Sequence, residues 1–287
     1  MSLNREAVVN LLKSAAQQGA TEIHFKVPSR PLLRVEGKLL PTKLPAITPR
    51  DAQECVFSLC SLAQRELPVA SITDESFSFG LHGVGRFRAY VYRQRGSLSA
   101  VIQRVNTQSP VLYELGIESG LEQTLGSPGL MLLCGDRRHE LMGALVSDYN
   151  ARIRGHVVVV ESPLNYLYRD AVATIAQREV GNDVPDFPTG INQAIRLGAD
   201  LLVVSEVADE ATADALLNSV ERGLSAVACV PAPSVEDALW WVERLFVGER
   251  RQDMVRRLDR RVRSVVCVNE GETHDYVERF EAKRQAG

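Results

Sequence analysis

The chain has 287 residues, a length that allows two domains and a sizeable core. With 45% hydrophobic residues, 24% charged residues and a net charge of −3, its composition is ordinary for a globular protein and provides no global field that attracts nucleic acid or membrane. Its apolar runs are too short to span a bilayer, and the N-terminal residues show no signal peptide. Five scattered cysteines without a C-x-x-C pair indicate buried thiols in a reducing cytoplasm.

The first 106 residues predict an α+β module. Apolar residues at helical spacing, followed by a glycine, indicate an opening helix over roughly residues 4–18. The segments TEIHFKV and PLLRVEGKLLP are typical of strands, and the glutamate–glycine pair in the second marks a hairpin turn. A second helix should begin after Thr48, a good capping residue, with Pro49 at its first position and Asp51 at its positive end.

Three antiparallel strands are predicted from the segment SFSFGLHGVGRFRAYVYRQRGSLSAVIQRV. Alternation along the middle strand separates a polar face, with Arg86, Arg88, Tyr90 and Tyr92, from an apolar face, with Phe87, Ala89 and Val91. The following NTQSP is a candidate linker. The expected organisation is therefore a first domain over residues 1–106, a linker over 107–114 and a second domain over 115–287.

The pattern of the second half of the sequence predicts an α/β domain with a parallel sheet. Continuous apolar strands over residues 130–134, 157–160, 201–204 and 226–230 alternate with helical stretches, as in a sheet that is buried on both faces. The final stretch, GERRQDMVRRLDRRVRSVVCV, predicts one amphipathic, arginine-rich helix. Acidic residues are interspersed among its arginines, so we expect a subunit interface or a solvated face and no nucleic-acid partner.

One turn in this domain has the architecture of a phosphate-binding loop. In LMLLCGDRRHELMGAL, an apolar strand runs through a glycine turn directly into a helix. The turn has one glycine and no lysine, however, and arginines and a glutamate fill it. Taken without a family, it is best interpreted as an ordinary strand–helix connection.

These landmarks, in this order over about residues 18–267, resemble the ATPases of type IV pili and type II secretion, in particular the pilus-retraction (PilT-type) motors. GRFRAYVYRQRG resembles the arginine-bearing strands of that family, and LYELGI its connector into the motor domain. HVVVVESPLNYLY stands at the acidic box, and GADLLVVSEVADEATADALLNSVERG at the Walker B strand and its helix. The resemblance implies a PAS-like N-terminal domain, a RecA-like motor domain, C-terminally truncated relative to the family, and a hexameric ring.

The departures from the family fall on the nucleotide chemistry. The family loop has the form G-x-x-x-x-G-K-[ST]. Counted from Gly135, Glu140 replaces the second glycine, Leu141 the lysine and Met142 the hydroxyl residue. The degenerate loop comprises Gly135, Asp136, Arg137, Arg138, Glu140, Leu141 and Met142.

These replacements predict that ATP and Mg²⁺ bind weakly or not at all, and that the chain holds no metal. Hydrogen bonds to charged groups contribute ~1.5–3 kcal/mol each, so losing the lysine and hydroxyl contacts weakens binding about a hundred- to ten-thousandfold. Asp136 is expected to cap the following helix and occupy its free N–H groups. Glu140 is expected to place a negative charge where a phosphate would lie.

Two acids of the family pattern remain. Glu161 and Glu206 follow buried apolar strands at the edge of the sheet where ligands bind in such folds. The resemblance implies a vestigial general base and a vestigial Walker B acid. The alternative, which the loss of the loop favours, is a pair of capped strand ends at the surface, so no catalytic residue is expected.

Arginines on the N-terminal strands suggest a role at a subunit interface. In the family, arginines on these strands reach toward nucleotide held by the adjacent subunit, and Arg86, Arg88 and Arg104 match them. The alternative is a solvated basic strand face. The resemblance thus implies that this chain supplies arginines to the site of an active partner, or retains an inherited ring interface.

Two main functions follow as hypotheses. The first is a catalytically inactive PilT-like pseudo-ATPase that regulates or scaffolds type IV pilus machinery by contact with the motor ATPase or the pilus platform protein, as a homo- or hetero-oligomer. The second is an atypical motor ATPase with a non-standard nucleotide loop. A weaker third is a sensor whose PAS-like domain binds a ligand or signalling protein. All three place the chain in the cytoplasm, at most peripheral at the inner membrane.

Overall fold

The chain divides into two compact units, which meet in sequence between Asn106 and Thr107. The structure, a computed structural model, describes residues 3–66, 68, 71–117, 121 and 125–270, together with the backbone of 275–278. Within these residues, no helix is long and apolar enough to cross a membrane. All five cysteines are free and buried, as predicted.

The N-terminal unit is a six-stranded antiparallel sheet with two helices. Its elements are α1 (Arg5–Gln17), β1 (Glu22–Phe25), β2 (Leu32–Val35), β3 (Lys38–Pro41), α2 (Pro49–Leu62), β4 (Asp74–Leu81), β5 (Gly85–Gln94) and β6 (Ser97–Arg104). The strand order is β3-β2-β1-β6-β5-β4, so β3 and β4 form the edges. Every predicted helix and strand of this module is present.

Local sequence signals explain where these helices begin. Asn4 caps α1 by accepting a hydrogen bond from the Ala7 N–H. Thr48 and Asp51 form a reciprocal capping box at the start of α2. Both signals lie within three residues of the N–H groups that they satisfy, and such short-range signals can be recognised from sequence.

The apolar face of the sheet packs against both helices. Phe87, Ala89 and Val91 of β5 are buried and join one core with residues of α1 and α2. The alternation predicted along β5 is therefore confirmed. The opposite face carries polar and charged side chains, where Glu22 accepts hydrogen bonds from Arg34 at 2.7 Å and Gln103 at 3.3 Å.

The second unit contains a seven-stranded sheet of mainly parallel strands. Its elements are β7 (Gly129–Cys134), α3 (Arg138–Arg152), β8 (His156–Glu161), β9 (Thr174–Glu179), α4 (Phe187–Arg196), β10 (Leu201–Val204), α5 (Glu210–Glu221), β11 (Ser225–Cys229), α6 (Val235–Glu243), α7 (Gly248–Arg261), β12 (Val262–Cys267) and β13 (Asp275–Glu278). The order is β13-β12-β7-β11-β10-β8-β9, with only β13 antiparallel to its neighbour. Helix α3 covers one face of the sheet, and α4 to α7 cover the other.

The predicted C-terminal helix is wrong in its last third. Helix α7 ends at Arg261, and the residues VRSVVC form strand β12, which pairs in parallel with β7. The valines lie at a spacing that suits a helix face. A bulge between Val262 and Ser264 shifts the register, so Val262, Val265 and Val266 are all buried in the strand. The β-branched valines favour a strand, and the side of β7 that faces away from β11 is available for pairing, so this segment becomes β12.

Candidate functional site

The carboxyl edge of the parallel sheet brings together the residues that the sequence suggested for nucleotide chemistry. Gly135 follows β7, Glu161 is the last residue of β8, and Glu206 lies two residues beyond β10. These strands run parallel, so their carboxyl ends meet at one edge. The arrangement expected of a phosphate site is thus present in outline.

The backbone N–H groups of the loop already have partners within the protein. The Gly135 N–H donates to the carbonyl oxygen of Ala232 at 2.8 Å, and the Arg137 N–H donates to that of Val268 at 3.1 Å. Between them, the Asp136 N–H donates to Oδ1 of Asn269 at 3.1 Å. A phosphate loop works by directing such N–H groups at the phosphate. Here the three consecutive donors are held by the segments that follow β11 and β12.

Gly135 fits tightly against the end of β12. It has a left-handed backbone with φ of +91°, and a Cβ atom at this position would overlap the carbonyl group of Val268. The one glycine of the loop therefore allows the turn to approach the neighbouring segment of its own chain. This role differs from the close approach to phosphate that glycines serve in a nucleotide-binding loop.

The predicted cap by Asp136 is wrong. Its carboxylate accepts a hydrogen bond from the Glu270 N–H at 3.1 Å, and the residue that precedes α3 is Arg137, which makes no side-chain cap. The partner of Asp136 lies 134 residues further along the chain. No local pattern indicates such a contact, which forms only because β12 joins the sheet beside β7.

Glu140 does not present an isolated negative charge. Its carboxylate pairs with the guanidinium of Arg137, whose Nε lies 3.0 Å from Oε2, and this hydrogen bond raises the pKa of Arg137. The Arg138 guanidinium donates to the Gly135 carbonyl oxygen at 3.0 Å. Both arginines of the turn thus bind groups of the loop itself.

The residues at the lysine and hydroxyl positions of the family loop are part of the core. Leu141 and Met142 are fully buried, among side chains of β7, β8 and β11. The Met142 sulfur lies 3.8 Å from Sγ of Cys229. These positions supply packing, and they offer no charge to a phosphate and no ligand to Mg²⁺.

Glu161 is buried, which contradicts its interpretation as a strand end at the surface. Oε1 accepts hydrogen bonds from the N–H and the side-chain amide of Asn165, at 3.2 and 3.0 Å. Oε2 is buried and has no hydrogen-bond partner among the described residues. Burial raises the pKa of Glu161 to about 7; the bonds from Asn165 oppose the shift, and the charge of Glu179 adds to it. The carboxyl group therefore titrates near neutrality.

Glu206 and His139 complete this edge. Glu206 is half-buried. Nε2 of His139, on α3, lies 3.1 Å from the carbonyl oxygen of Ser205. Burial and the charge of Arg138 lower the pKa of His139. A neutral imidazole beside a carbonyl acceptor is a satisfied polar group.

The structure does not bring the three N-terminal arginines together. Arg88 donates to Oγ of Ser76 at 3.1 Å, and its guanidinium stacks on Tyr90 at 4.7 Å from the ring centroid. Arg86 lies on the same face of β5. Arg104 pairs across the sheet with Phe87 and so lies on the helix-packed face, where it donates to the Ala16 carbonyl oxygen of α1 at 3.5 Å. Only Arg86 and Arg88 share the polar face.

Sequence comparison finds no family model that matches the chain. It does find curated relatives. The type IV pilus ATPase PilU of Pseudomonas aeruginosa is 24% identical over 261 residues, which cover 90% of this chain and 68% of that protein. The type IV pilus retractation ATPase PilT of the same organism is 24% identical over 263 residues, 90% of this chain and 76% of that protein. A twitching motility protein of Neisseria gonorrhoeae is 22% identical over 273 residues, 94% of this chain and 73% of that protein.

Solved structures confirm the fold. The pilus retraction motor PilT with bound ADP superposes with a TM-score of 0.81 at 24% identity, over 96% of this chain and 84% of that one. The ATPase DotB of Legionella pneumophila superposes with a TM-score of 0.78 at 17% identity, over 96% of this chain and 80% of that one. The predicted antiparallel N-terminal domain, followed by a RecA-like parallel sheet, is therefore present.

Proposed function

Since this chain belongs to the family of PilT-type secretion ATPases, we propose that it is a non-catalytic member, which regulates or scaffolds type IV pilus machinery through protein–protein contacts. Its own carboxyl edge takes no part in ATP turnover. The proposed place of action is the cytoplasm, with at most peripheral contact with the inner membrane. The proposed partner is a pilus motor ATPase or a pilus platform protein.

The observation that carries this proposal is the occupied loop. Three consecutive N–H groups donate to Ala232, Asn269 and Val268, and the lysine and hydroxyl positions are filled by buried apolar side chains. To bind this loop, a nucleotide would have to break the three hydrogen bonds that its N–H groups donate. It would still lack the lysine and hydroxyl contacts. Each hydrogen bond to a charged group contributes ~1.5–3 kcal/mol, so losing the lysine and hydroxyl contacts weakens binding about a hundred- to ten-thousandfold, and breaking the three bonds of the loop weakens it further.

We therefore predict that the purified chain shows no saturable ATP binding at micromolar concentration and no hydrolysis. Isothermal titration calorimetry with Mg-ATP should give a dissociation constant weaker than about 1 mM. A coupled-enzyme assay should give a rate equal to that of the buffer. An active pilus-retraction motor, measured alongside, serves as the positive control, and micromolar binding by this chain would refute the proposal.

One observation favours a second candidate, an atypical motor ATPase. Glu161 remains at the end of β8 with a pKa of about 7, a value that suits a general base. Under this hypothesis, turnover would be measurable and Glu161→Gln would abolish it. The same hydrolysis assay thus separates the two candidates, because the pseudo-ATPase has no turnover for the variant to remove.

The polar face of β5 suggests how the chain acts on a partner. Arg86 and Arg88 lie on one face, at the positions whose family counterparts reach toward nucleotide in the adjacent subunit. We propose that they contact the site of an active motor subunit. Mixing this chain with an active retraction motor should then change the ATPase rate of that motor.

Substitutions on the two faces of the sheet test this contact. Arg86→Ala with Arg88→Ala should abolish the effect on the motor, because both guanidinium groups are removed. Arg104→Ala is the matched control, since Arg104 lies on the helix-packed face and should leave the effect unchanged. An unchanged effect in the double variant would show that these arginines are not involved.

A further inference from the structure

Two of the five free cysteines lie side by side at the carboxyl edge of the second sheet. Cys134 is the last residue of β7, and Cys267 is the last residue of β12. The two strands run parallel, and these cysteines are partners in their register. Partners in register point to the same face of a sheet, because side chains alternate between the faces along each strand. The two thiols are therefore neighbours in space, although most of the second unit lies between them in sequence.

Hydrogen bonds to one short segment show that the thiols point the same way. The Cys134 thiol donates to the carbonyl oxygen of Ser234, which lies 3.4 Å from Sγ. The Cys267 thiol donates to the carbonyl oxygen of Pro233, which lies 3.3 Å from Sγ. These two carbonyl groups are consecutive in the segment before α6, so the two sulfur atoms converge on one place.

The spacing of the two residues suits a disulfide bond. Neighbouring strands lie about 4.7–4.9 Å apart, and the Cα atoms of a disulfide usually lie about 4.4–6.8 Å apart. A bond between partners in register on adjacent strands therefore requires little movement of the backbone.

Among the described residues, the other three cysteines have no such partner. Cys229 of β11 pairs in register with Leu133, so its side chain points to the opposite face from that of Cys134. Cys55 and Cys60 both lie on α2, at a spacing that does not place two side chains on one face of a helix. The geometry thus selects one pair of thiols.

A thin layer of residues separates this pair from solvent. Cys134 has no exposed surface, and Cys267 is 4% exposed. Of the residues that contact the thiols, Pro233 is exposed, and Ser234 and Asn269 are half-buried. The side-chain amide of Asn269 donates to Sγ of Cys267 at 3.7 Å. Local opening of such a layer admits a small oxidant while the rest of the unit stays folded.

We propose that Cys134 and Cys267 form a reversible disulfide bond when the chain meets a hydroperoxide. The thiolate of one cysteine attacks the hydroperoxide and breaks its O–O bond, which gives a sulfenic acid and releases an alcohol or, from hydrogen peroxide, water. The second thiol then displaces the sulfenic oxygen as water and closes the S–S bond. The two thiols lose two electrons and two protons in all, and the hydroperoxide accepts them. A dithiol reductant reverses the reaction by thiol–disulfide exchange.

This bond fastens the turn after β7 to the end of β12. Gly135 follows Cys134 directly, and Val268, whose carbonyl oxygen accepts from the Arg137 N–H, follows Cys267. Oxidation therefore locks together the two segments that hold the loop, and reduction releases them. Cytoplasmic disulfides are usually transient and redox-sensing, which fits a bond of this kind. The pairing of the cysteines does not depend on whether the loop binds nucleotide.

The reaction should be slow at neutral pH and faster at higher pH. Burial raises the pKa of the Cys134 thiol, and the neighbouring Cys267, Cys229 and Glu236 raise it further. Little of this thiol is ionised at pH 7, and the thiolate is the nucleophile. The fraction of thiolate grows as pH rises towards the pKa, so the bond should form faster at pH 9 than at pH 7.

Mass spectrometry of the full-length chain tests this inference. The reduced chain is treated with hydrogen peroxide under native conditions, and the remaining thiols are then alkylated in urea. Two fewer thiols should be alkylated than in the untreated chain, and peptide mapping should find a link between Cys134 and Cys267. Dithiothreitol should restore both thiols. The second unit should also melt about 5 °C or more higher when oxidised, since a bond that closes a long loop constrains the unfolded state.

Single substitutions separate this pair from the other thiols. Cys134→Ala and Cys267→Ala should each abolish the loss of two thiols and the rise in melting temperature. Cys229→Ala is the matched control, because Cys229 is also buried at this edge but points to the opposite face, and it should leave both effects unchanged. Cys267→Ser serves as a second variant, and melting curves of the reduced variants establish that they are folded.

Three results would overturn the inference. The first is a native chain that keeps all its thiols after peroxide treatment. The second is oxidation that adds oxygen to single cysteines, or links separate chains, without linking Cys134 to Cys267. The third is a link that forms only in urea, which would show that the folded structure does not bring the two thiols together.

Discussion

At the residue scale, Glu161 combines two properties that seldom occur together. It lies at the end of a core strand with no exposed surface, and one of its oxygens has no partner within the described part of the chain. Burying a carboxylate costs free energy unless it is paired, and neutralisation relieves that cost. The raised pKa therefore makes Glu161 a source of pH-dependent instability.

We predict that Glu161→Gln removes this dependence. The pKa of Glu161 rises from an ordinary 4.5 to about 7, so between these pH values the folded chain binds more protons than the unfolded chain. The free energy of unfolding then falls as pH rises through this window, by roughly 3 kcal/mol in total at 1.36 kcal/mol per pKa unit. Urea unfolding should give similar free energies of unfolding for the native chain and the variant near pH 4.5. At pH 8 the variant should be more stable than the native chain by up to roughly 3 kcal/mol. An equal pH slope in the two proteins would contradict the assignment.

The sequence indicates which residues stand at this edge but not what they bind. Gly135, Glu161 and Glu206 could be located because each follows a recognisable apolar strand. The contacts of Asp136 could not be predicted. Its carboxylate binds the Glu270 N–H, and its own N–H binds the side chain of Asn269. Both partners lie more than a hundred residues away in sequence. Neighbours across a parallel sheet come from distant segments, and one sequence gives no signal for such a pairing.

At the element scale, the turn between β7 and α3 is fixed by the strand beside it. Gly135 has a positive φ and lies against the carbonyl group of Val268, so two separate constraints act on one residue. The turn, the three donated N–H groups and the end of β12 thus form one packed unit. Under the proposed function, this packing keeps the three N–H groups from a phosphate.

Gly135→Ala should consequently destabilise the chain by about 3 kcal/mol or more, because backbone strain and steric overlap add together. Gly181→Ala is the matched control. Gly181 has φ of +81° with nothing near its Cβ position, so strain alone applies and about 1–2 kcal/mol is expected. Urea unfolding of both variants gives the comparison, and equal losses would show that the contact with Val268 contributes nothing.

Elements could be predicted from the sequence where their signals are local. The caps of α1 and α2 and the hairpin between β2 and β3 all depend on neighbouring residues. Strand β9 was missed because it has the polar sequence TIAQRE and is mostly half-buried at the edge of the sheet, so it lacks the continuous apolar run of its neighbours. Strand β12 was mistaken for helix because its bulge imitates helical spacing.

At the scale of the whole molecule, the fold class follows from a change in periodicity. Alternating strands in the first 106 residues predict a sheet with one packed face, and continuous apolar strands beyond them predict a sheet packed on both faces. Among the residues that the structure describes, the core of the N-terminal unit is formed by residues of that unit, from Leu3 to Ile102. In the same described part of the chain, the cores on the two faces of the second sheet are formed by residues of the second unit.

A self-contained core implies that the N-terminal unit folds alone. We predict that residues 1–106, expressed as a fragment, give dispersed amide resonances and one cooperative urea transition with a slope of about 1–3 kcal/mol/M. A six-stranded sheet with two capped helices buries enough apolar surface at this size for independent stability. A collapsed fragment without a cooperative transition would show that the unit needs the rest of the chain to fold.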